Sequence, residues 1–462
     1  MTVKRGGELR ALTLDEQTIA SDVSPWSGHT HAHAQQMNHR IRLLACLLCG
    51  LTPHARAGND VPTDWIDPET GHRVIRLSTE PGSQTLYFHD NAYSPQGDKF
   101  IFNSPSGIML LDLTTLGKQP PRAEVAVPQA GGAYMARRSR EVYFTRRVAR
   151  GTIGGGDVFA YNFDTKETRK VANAARTLIS ADETYTVTTI TAEDPSGRVS
   201  RPAIREPRPQ LERMFPGKKL DELTPEQQYS VNKEEGLARR AVNPDGMAFV
   251  FTNLKTGEAK TLGYQYASLN HLQFSPTDPN LLLYCHEGTW HEVDRIWTIR
   301  TDGTENTLRH ARTMDMEIAG HEFWSLDGST IWFDLQTPRS QLFWIAGVNL
   351  ASGRETRYAV DRDAWSVHYN VSRDNTLFMG DGGDETQVAF SKNGMWINLF
   401  AVQPDGTLKR EKLVNMDKHN YVTGRGGVEP NGSITPDKKW VIFTGNFDGE
   451  RHVYAVEVAK AH

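Results

Sequence analysis

Three histidines of this 462-residue chain occupy the same position in a recurring sequence pattern. His271, His321 and His368 each lie four residues before a serine that opens a polar turn, in stretches where apolar and polar residues alternate. Such alternation is typical of a β-strand. If the recurring units are equivalent in space, the three imidazoles converge, whereas a single histidine at a strand start is usually structural. Because imidazole titrates near neutral pH and binds metals, the pattern favours a polar site for proton transfer or cation binding.

Further polar side chains occur at or beside the same position in other units. Asp90 and Asn431 share the register of the histidines, and Glu429 lies two residues before Asn431. Clustered nitrogen and oxygen donors of this kind suit a divalent cation.

The unit that begins with His271 contributes two more candidates, His286 and Arg295. A guanidinium recognises a carboxylate through two parallel hydrogen bonds, so Arg295 suits an acidic substrate. An ion pair with the preceding Asp294 on the same strand explains this arginine equally well. Both interpretations are compatible with the sequence.

The recurring unit is a small polar turn followed by an alternating apolar strand, and it occurs seven times. Most successive copies are 42 to 50 residues apart, which matches a four-stranded blade of a β-propeller. The copies are centred on Ser94, Ala136, Ser180, Ser275, Ser325, Ser372 and Thr435. The sequence therefore predicts an all-β fold, a seven-bladed β-propeller formed by residues 58–462.

Two segments depart from the repeat. Ser180 and Ser275 are 95 residues apart, which predicts an insertion at about 192–240 rather than two further blades. Within it, the stretch from Pro225 to Arg240 has helical composition. Residues 64–77 are expected to add an outer strand to the last blade, because closing the ring protects the strand edges.

Composition narrows the functional classes. The formal net charge is −4 and no basic stripe is present, so nucleic-acid binding is not expected. No apolar run approaches the roughly 20 residues that a membrane-spanning helix needs, so an integral membrane protein is not expected either. Cys285 is the only cysteine after residue 57, so stability must come from packing rather than from an internal disulfide.

The beginning of the chain has a different character. Residues 1–36 are polar and without periodicity, which indicates a disordered or mis-assigned extension. Residues 37–57 combine a basic segment, a short apolar segment and an Ala-x-Ala site. They predict a signal peptide that starts at Met37 and is cleaved after Ala57, and hence a periplasmic or secreted protein. A lipoprotein acylated at Cys46 is the second possibility.

Several motifs occur in an order that resembles the oligogalacturonate lyase family of polysaccharide lyases. They are Cys285-His286-Glu287-Gly288, Arg295-Ile296-Trp297, His321-Glu322-Phe323-Trp324, Gly380-Asp381-Gly382-Gly383 and Thr435-Pro436-Asp437. The resemblance is strongest from about Asn270 to Val458. It implies a seven-bladed propeller that binds a divalent metal and cleaves uronides by β-elimination.

The resemblance also implies roles for individual residues. The histidine of the His-Glu-Phe-Trp motif, His321, corresponds to the Brønsted base, Arg295 to the family's arginine, and His368 to one metal ligand. The family's remaining ligands form a Gln-x-x-His-x-His run, and here those positions hold Gly426, Glu429 and Asn431. Oxygen ligands at Glu429 and Asn431 would favour Mn²⁺ or Ca²⁺, or metal binding is lost.

Three further residues, His271, His286 and Asp90, are expected to bind substrate, and either of the two histidines could be an additional metal ligand. The function that the resemblance implies is β-elimination on oligogalacturonides, the fragments of pectin, with an unsaturated uronate as product. Hydrolysis would instead need two carboxylates flanking the bond, and the shared register offers mainly histidines.

Two alternatives stay open at this point. One is a lyase for another uronide, such as a glucuronate-containing oligosaccharide. The other is a non-catalytic propeller that binds sugars or a protein, since a propeller by itself does not define a function. The expected partner is an acidic oligosaccharide, and the sequence leaves the oligomeric state open.

Overall fold

The computed structural model describes residues 62–146, 156–173, 177–242, 244–421 and 426–461. The predicted extension at 1–36, the predicted signal peptide at 37–57 and the predicted new amino terminus at Gly58 lie outside these residues. Throughout the described ranges, no helix is both long enough and apolar enough to cross a membrane.

Seven antiparallel sheets follow one another along the chain, and the predicted seven-bladed β-propeller is confirmed. Blades 1 to 3 follow two leading strands, β1 (Asp64–Ile66) and β2 (His72–Arg76). Blade 1 contains β3 (Lys99–Ser104), β4 (Gly107–Asp112) and β5 (Ala123–Pro128). Blade 2 contains β6 (Ala130–Met135), β7 (Glu141–Arg146), β8 (Asp157–Asn162) and β9 (Thr168–Asn173). Blade 3 contains β10 (Tyr185–Thr191), β11 (Gly246–Asn253) and β12 (Ala259–Tyr266).

The remaining four blades contain the second half of the chain. Blade 4 contains β13 (Ser268–Phe274), β14 (Leu281–Glu287), β15 (Ile296–Arg300) and β16 (Thr307–Leu308). Blade 5 contains β17 (Ile318–Trp324), β18 (Thr330–Gln336), β19 (Phe343–Asn349) and β20 (Glu355–Val360). Blade 6 contains β21 (Tyr369–Val371), β22 (Leu377–Gly380), β23 (Trp396–Val402) and β24 (Leu408–Asn415). Blade 7 contains β25 (Ser433–Ile434), β26 (Trp440–Gly445) and β27 (His452–Lys460). Short 3₁₀ helices span Leu113–Thr115, Leu220–Glu222 and Arg362–Ala364.

The polar turn of the sequence repeat has a specific hydrogen-bonding role. In blade 5, Ser325 Oγ accepts the backbone N–H of Thr330, the first residue of β18, at 2.9 Å, and donates to Asp327 Oδ1 at 2.6 Å. Ser372 in blade 6 and Thr435 in blade 7 make the same pair of contacts. Hydroxyl and carboxylate side chains close such turns well because they bond to nearby backbone groups. The turn therefore fixes where the second strand of the blade begins.

The ring closes between the two ends of the described chain. β2 pairs with β27, so blade 7 has the strand order β1-β2-β27-β26-β25. The outer strand predicted for residues 64–77 is confirmed. Apolar side chains of neighbouring blades then share cores, as where Phe102 of blade 1 and Phe144 of blade 2 pack in one cluster with Ile442 of blade 7.

The insertion lies between β10 and β11 and contains two helices, α1 (Gln210–Met214) and α2 (Pro225–Ala241). Helix α2 begins with a capping box, because Thr224 accepts the backbone N–H of Gln227 and the Gln227 side chain accepts that of Thr224. Pro225 occupies the first turn, where its missing N–H has no cost. The helix predicted from composition is thus present with nearly the predicted bounds.

Helix α2 is fixed to blade 5 by a buried ion pair. Glu234 Oε1 lies 2.7 Å from Nη1 of Arg339, and both side chains are at most 5% exposed. The same guanidinium contacts Ser230 Oγ at 3.1 Å and His291 Nδ1 at 3.2 Å. Because an unpaired charge in this position would cost several kcal/mol, the pair fixes the position of α2 over the propeller.

Candidate active site

The three histidines predicted to converge do lie together, on the first strands of blades 4 and 5 and at the start of blade 6. The ring centres of His271 and His321 are 6.3 Å apart, and those of His321 and His368 are 4.7 Å apart. The shared register of the sequence repeat therefore corresponds to a shared position in space.

A β-bulge directs the histidines of blades 4 and 5. The β13–β14 register shifts between Asn270 and Gln273, and the β17–β18 register shifts between Gly320 and Phe323. His271 and His321 have φ angles of 51° and 49°, in the left-handed region of backbone conformation that residues other than glycine rarely adopt. Bulges re-aim a side chain at the expense of local strain of order 1–3 kcal/mol. These strands thus give up ladder hydrogen bonds to present their imidazoles.

Arg295 lies at the centre of a buried charged cluster. Its side chain is 1% exposed, and its Nε lies 3.2 Å from Oε2 of Glu322, which is fully buried. His271 Nδ1 is 3.3 Å from the other oxygen of Glu322. Burial alone would raise the pKa of Glu322, but Arg295 and His271 outweigh it and hold this pKa at about 2. Nη1 of Arg295 is a buried donor without a hydrogen-bond partner among the described residues, so it can still bind an anion.

His321 is held as a neutral imidazole. Burial, then the neighbouring His368, His271 and Arg295, lower its pKa well below the usual value. Its Nδ1 is buried and has no hydrogen-bond partner in the part of the chain that the structure describes. Trp290 and the His321 ring are arranged edge to face, with ring centres 4.8 Å apart. A neutral imidazole with a free nitrogen can accept a proton.

His368 has the opposite electrostatic environment. Its backbone N–H and its Nδ1 contact the two carboxylate oxygens of buried Asp381 at 2.8 and 2.9 Å. Burial lowers its pKa, but Asp381 and then Glu429 raise it more, so the pKa lies above the usual value. Nε2 of His368 faces Glu429 Oε2 at 3.8 Å and has no hydrogen bond within the described ranges. A carboxylate that orients a histidine in this way is typical of the surroundings of metal ligands.

Asn431 is close to this pair but is already hydrogen-bonded. Its Oδ1 accepts the backbone N–H of Phe88 at 3.2 Å, and its Nδ2 donates to the Glu429 carbonyl at 3.0 Å. Its φ of 48° is close to those of His271 and His321, so Asn431 has the same backbone conformation at the same position of the repeat. Only the second lone pair of Oδ1 remains for a cation. His368 and Glu429 are therefore the better-placed donors.

A second group of three potential metal ligands lies apart from His368 and Glu429, and its chemistry is poorly suited to a metal. Ligand atoms of His271, Cys285 and Glu322 lie within 4.8 Å of one another. Arg295 already neutralises Glu322, and its Nη2 is 3.5 Å from His271 Nδ1, where it would repel a cation. Burial raises the pKa of the Cys285 thiol well above its usual value, so the metal-binding thiolate is disfavoured.

A loop that the sequence did not predict as part of the site packs against the histidines. Tyr87 and Phe88 precede β3, and the Phe88 ring stacks on His368 with centres 4.4 Å apart. The Tyr87 ring contacts His271 and His368 at 5.7 and 5.3 Å. These two aromatic rings therefore contribute to the burial of the imidazoles.

Asp90 follows the same loop and lines a cavity of about 400 Å³ together with His271. Asp90 Oδ1 lies 3.4 Å from Nδ1 of His89, and its side chain is 33% exposed. The residue is therefore close to the central cluster and accessible to a ligand. Its substrate-binding role stays a prediction.

His286, in contrast, does not join the central cluster. Successive strand residues point to opposite faces, and the neighbouring Cys285 is the one that faces His271. The His286 ring stacks on Trp297 at 4.8 Å, and Nε2 is 2.8 Å from Gln265 Oε1. Burial lowers its pKa to about 4. It lines a separate cavity between blades 3 and 4, so it is not expected to contact a ligand bound at His321 or a metal at His368.

Several residues of the site were not predicted. Glu322 and Asp381 lie inside motifs that the sequence analysis quoted, so their positions beside His321 and in the Gly-Asp-Gly-Gly run were a usable signal. Trp290 and the loop residues Tyr87 and Phe88 occur in no repeat. Only their packing in the folded chain reveals their proximity to the histidines.

Fold and site together define a β-propeller with an ionisable cluster of histidines, carboxylates and one arginine on its axis. Residues 242–462 match the family model described as oligogalacturonate lyase. The second half of the chain is therefore similar to the oligogalacturonate lyase family.

Relatives and solved structures agree with this placement. The chain is 30% identical over 225 residues to an oligogalacturonide lyase of Pectobacterium atrosepticum and equally to an oligogalacturonate lyase of Dickeya dadantii. The match covers 46% of this chain and 57% of each relative, less than two thirds of their length. A structure titled oligogalacturonate lyase in complex with manganese is 20% identical, with a TM-score of 0.64. A Vibrio parahaemolyticus oligogalacturonate lyase is 19% identical, with a TM-score of 0.63. Each covers 86% of this chain and 96% of its own, which supports the fold.

The Glu322 environment leads to a prediction about stability. A carboxylate whose pKa is lowered on folding stabilises the protein above its unfolded pKa, and this contribution is lost as the pH falls towards the folded pKa. We expect Glu322→Gln to lower the free energy of unfolding by roughly 3 kcal/mol at neutral pH. The difference from the parent protein should shrink as the pH falls from 4.5, the usual value, to about 2. Urea unfolding at a series of pH values measures it.

The matched control is Glu124→Gln, because the Glu124 side chain is 61% exposed and pairs with the exposed Lys166. That variant should change the free energy of unfolding little at any pH. A Glu322→Gln difference that stays constant from pH 7 to pH 2 would contradict the assignment.

Proposed function

We propose that this protein is a polysaccharide lyase that cleaves oligogalacturonides by β-elimination and leaves an unsaturated uronate at the new end. The observation that carries the proposal is a neutral imidazole with a free nitrogen, His321, beside a buried guanidinium with a free donor, Arg295. A base next to a fixed cation is what proton removal beside a carboxylate requires.

The chemistry assigns a step to each group. The C5 proton of a uronate is weakly acidic, because its removal adds charge next to an existing carboxylate. Arg295 is permanently charged and fixed by Glu322, so its free Nη1 can stabilise that developing charge without reorganisation. His321 takes the C5 proton, the bond from C4 to the glycosidic oxygen breaks, and a C4–C5 double bond forms. The departing oxygen takes up a proton and becomes the hydroxyl of the released sugar. No water is added across the bond.

We propose that a divalent cation binds at His368 and Glu429. The fit rests on the buried, unpartnered Nε2 of His368, its orientation by Asp381, and the Glu429 carboxylate 3.8 Å away. A bound cation would supply further positive charge to the substrate carboxylate. An imidazole with carboxylate oxygens suits Mn²⁺, and Ca²⁺ is the alternative. The related structure titled as a manganese complex supports the first choice.

Oligogalacturonides are the proposed substrate because the two relatives that match residues of this chain carry that substrate in their names. Glu429 and Asn431 occupy positions where the family has histidines. Because of this difference, a glucuronate-containing oligosaccharide is the alternative candidate substrate. A panel of uronide oligomers, followed by the ultraviolet absorbance of the unsaturated product, distinguishes the two. A propeller that binds acidic sugars without cleaving them would give binding but no absorbance.

Substitution of His321 tests the base. We expect His321→Gln to lower kcat at least a thousandfold, because the amide cannot take up the proton, while folding and sugar binding persist. The matched control is His286→Gln, since His286 lies in a separate cavity and should retain nearly full activity. Full activity of His321→Gln would refute the assignment.

Metal content tests the cation site. We expect the purified protein to contain about one equivalent of Mn or Ca by elemental analysis. His368→Ala and Glu429→Ala should lose it, because both donors face one position, and His286→Ala should keep it. If the parent protein is active with no divalent metal bound, Arg295 and its neighbours alone neutralise the substrate carboxylate.

We also propose that the protein acts after export, in the periplasm or outside the cell. The support is the signal-like sequence at 37–57, and an exported lyase would shorten acidic oligomers before their uptake. Protein isolated from fractionated cells should begin at Gly58 by N-terminal sequencing. An intact Met1 in the cytoplasmic fraction would exclude export and leave the lyase assignment unaffected.

A further inference from the structure

Helix α2 of the insertion forms one side of a small cavity that also contains His321. Tyr229, Ser230, Lys233 and Glu234 line it from the helix, and Trp290, His321 and Glu429 line it from the propeller. The proposed base is therefore reached through a space that the propeller repeat alone does not form.

The charged groups of this cavity differ in whether they already have partners. Glu234 and Arg339 form the buried ion pair that fixes α2, and Glu429 faces His368. Lys233 is exposed and forms no ion pair with any carboxylate of the described residues. Its Nζ lies 5.5 Å from the centre of the Trp290 ring. Lys233 is thus the cation of this cavity that remains available to a ligand.

Lys233 and Arg295 border the same indole ring. The Arg295 guanidinium carbon lies 5.3 Å from the centre of the Trp290 ring, and that ring is arranged edge to face with His321. Arg295 is deeply buried beside the base, whereas Lys233 lies at the exposed side of the cavity. Two cations beside one indole ring suit a ligand that carries a carboxylate on each successive unit.

We propose that Lys233 is a substrate-binding residue of a second uronate subsite, and this proposal rests on the proposed function. It pairs with the carboxylate of the sugar next to the one from which His321 removes the proton. The backbone of Lys233 is held in place because the next residue, Glu234, is buried in its ion pair with Arg339. The Lys233 side chain itself is exposed, so it can change its rotamer to reach the carboxylate of the incoming sugar.

Binding is measured by titration calorimetry in the His321→Gln background, which keeps the ligand intact. The ligand is trigalacturonate, and its matched neutral counterpart has every carboxyl group reduced to an alcohol. We expect the added Lys233→Met substitution to weaken trigalacturonate binding about tenfold, the size of one charge-assisted hydrogen bond. Binding of the neutral oligomer should not change. The salt dependence of trigalacturonate binding should also decrease, since one ion pair is lost.

The matched control is Lys218→Met, an exposed lysine of the same insertion that does not line the cavity. It should bind trigalacturonate as the background protein does. Equal affinities of the Lys233→Met and Lys218→Met proteins would overturn the role of Lys233 while leaving the lyase proposal standing.

The two proposals fail differently. If trigalacturonate binds to none of these proteins, both the substrate proposal and the second subsite are wrong. If Lys233→Met weakens its binding but the parent protein forms no unsaturated product, the subsite is supported and elimination is refuted. Unfolding curves of both lysine variants should coincide with that of the background protein, because both side chains are exposed.

Discussion

A guanidinium that is almost completely withdrawn from water must be paired, and Arg295 is paired with Glu322. An uncompensated buried charge would cost several kcal/mol, so this contact restricts every group around it. Arg295 belongs to blade 4 and Glu322 to blade 5, and the pair therefore ties two blades together at the channel. It also sets the position of His271, which shares the same carboxylate, and of His321, which is next to Glu322 in sequence.

The electrostatic consequence is that neighbouring imidazoles acquire different properties. His321 and His368 are 4.7 Å apart, yet the pKa of the first is lowered and that of the second is raised. His321 has cations and another imidazole around it, whereas His368 has Asp381 and Glu429. Opposite shifts in adjacent groups are a common way for a site to separate a base from a charge-holding group. Burial lowers the pKa of both imidazoles, and only at His368 do neighbouring carboxylates outweigh it, because interactions between charges are stronger away from water.

The propeller and the insertion contribute different parts of the site. Bulged first strands of the blades present the histidines, and these bulges are possible because the surrounding sheets are tightly packed and can bear the strain. Helix α2 adds groups that no blade supplies, and its position depends on Glu234 and Arg339 rather than on strand pairing. A repeat fold thus provides the fixed inner groups, and a non-repeating segment provides the accessible outer ones.

The sequence by itself determined the blade count, the insertion, the closing strand and the convergence of His271, His321 and His368. These features follow from local rules: Ser325 and its equivalents bond to the strand that follows, and Thr224 with Pro225 starts a helix wherever the chain lies. Register alone could not decide which neighbours each side chain meets. Strand alternation turned His286 away from the cluster, and the Phe88 backbone occupied the amide of Asn431. Only the tertiary structure decided that Arg295 pairs with Glu322 instead of the adjacent Asp294, because that choice depends on a carboxylate brought in by another blade.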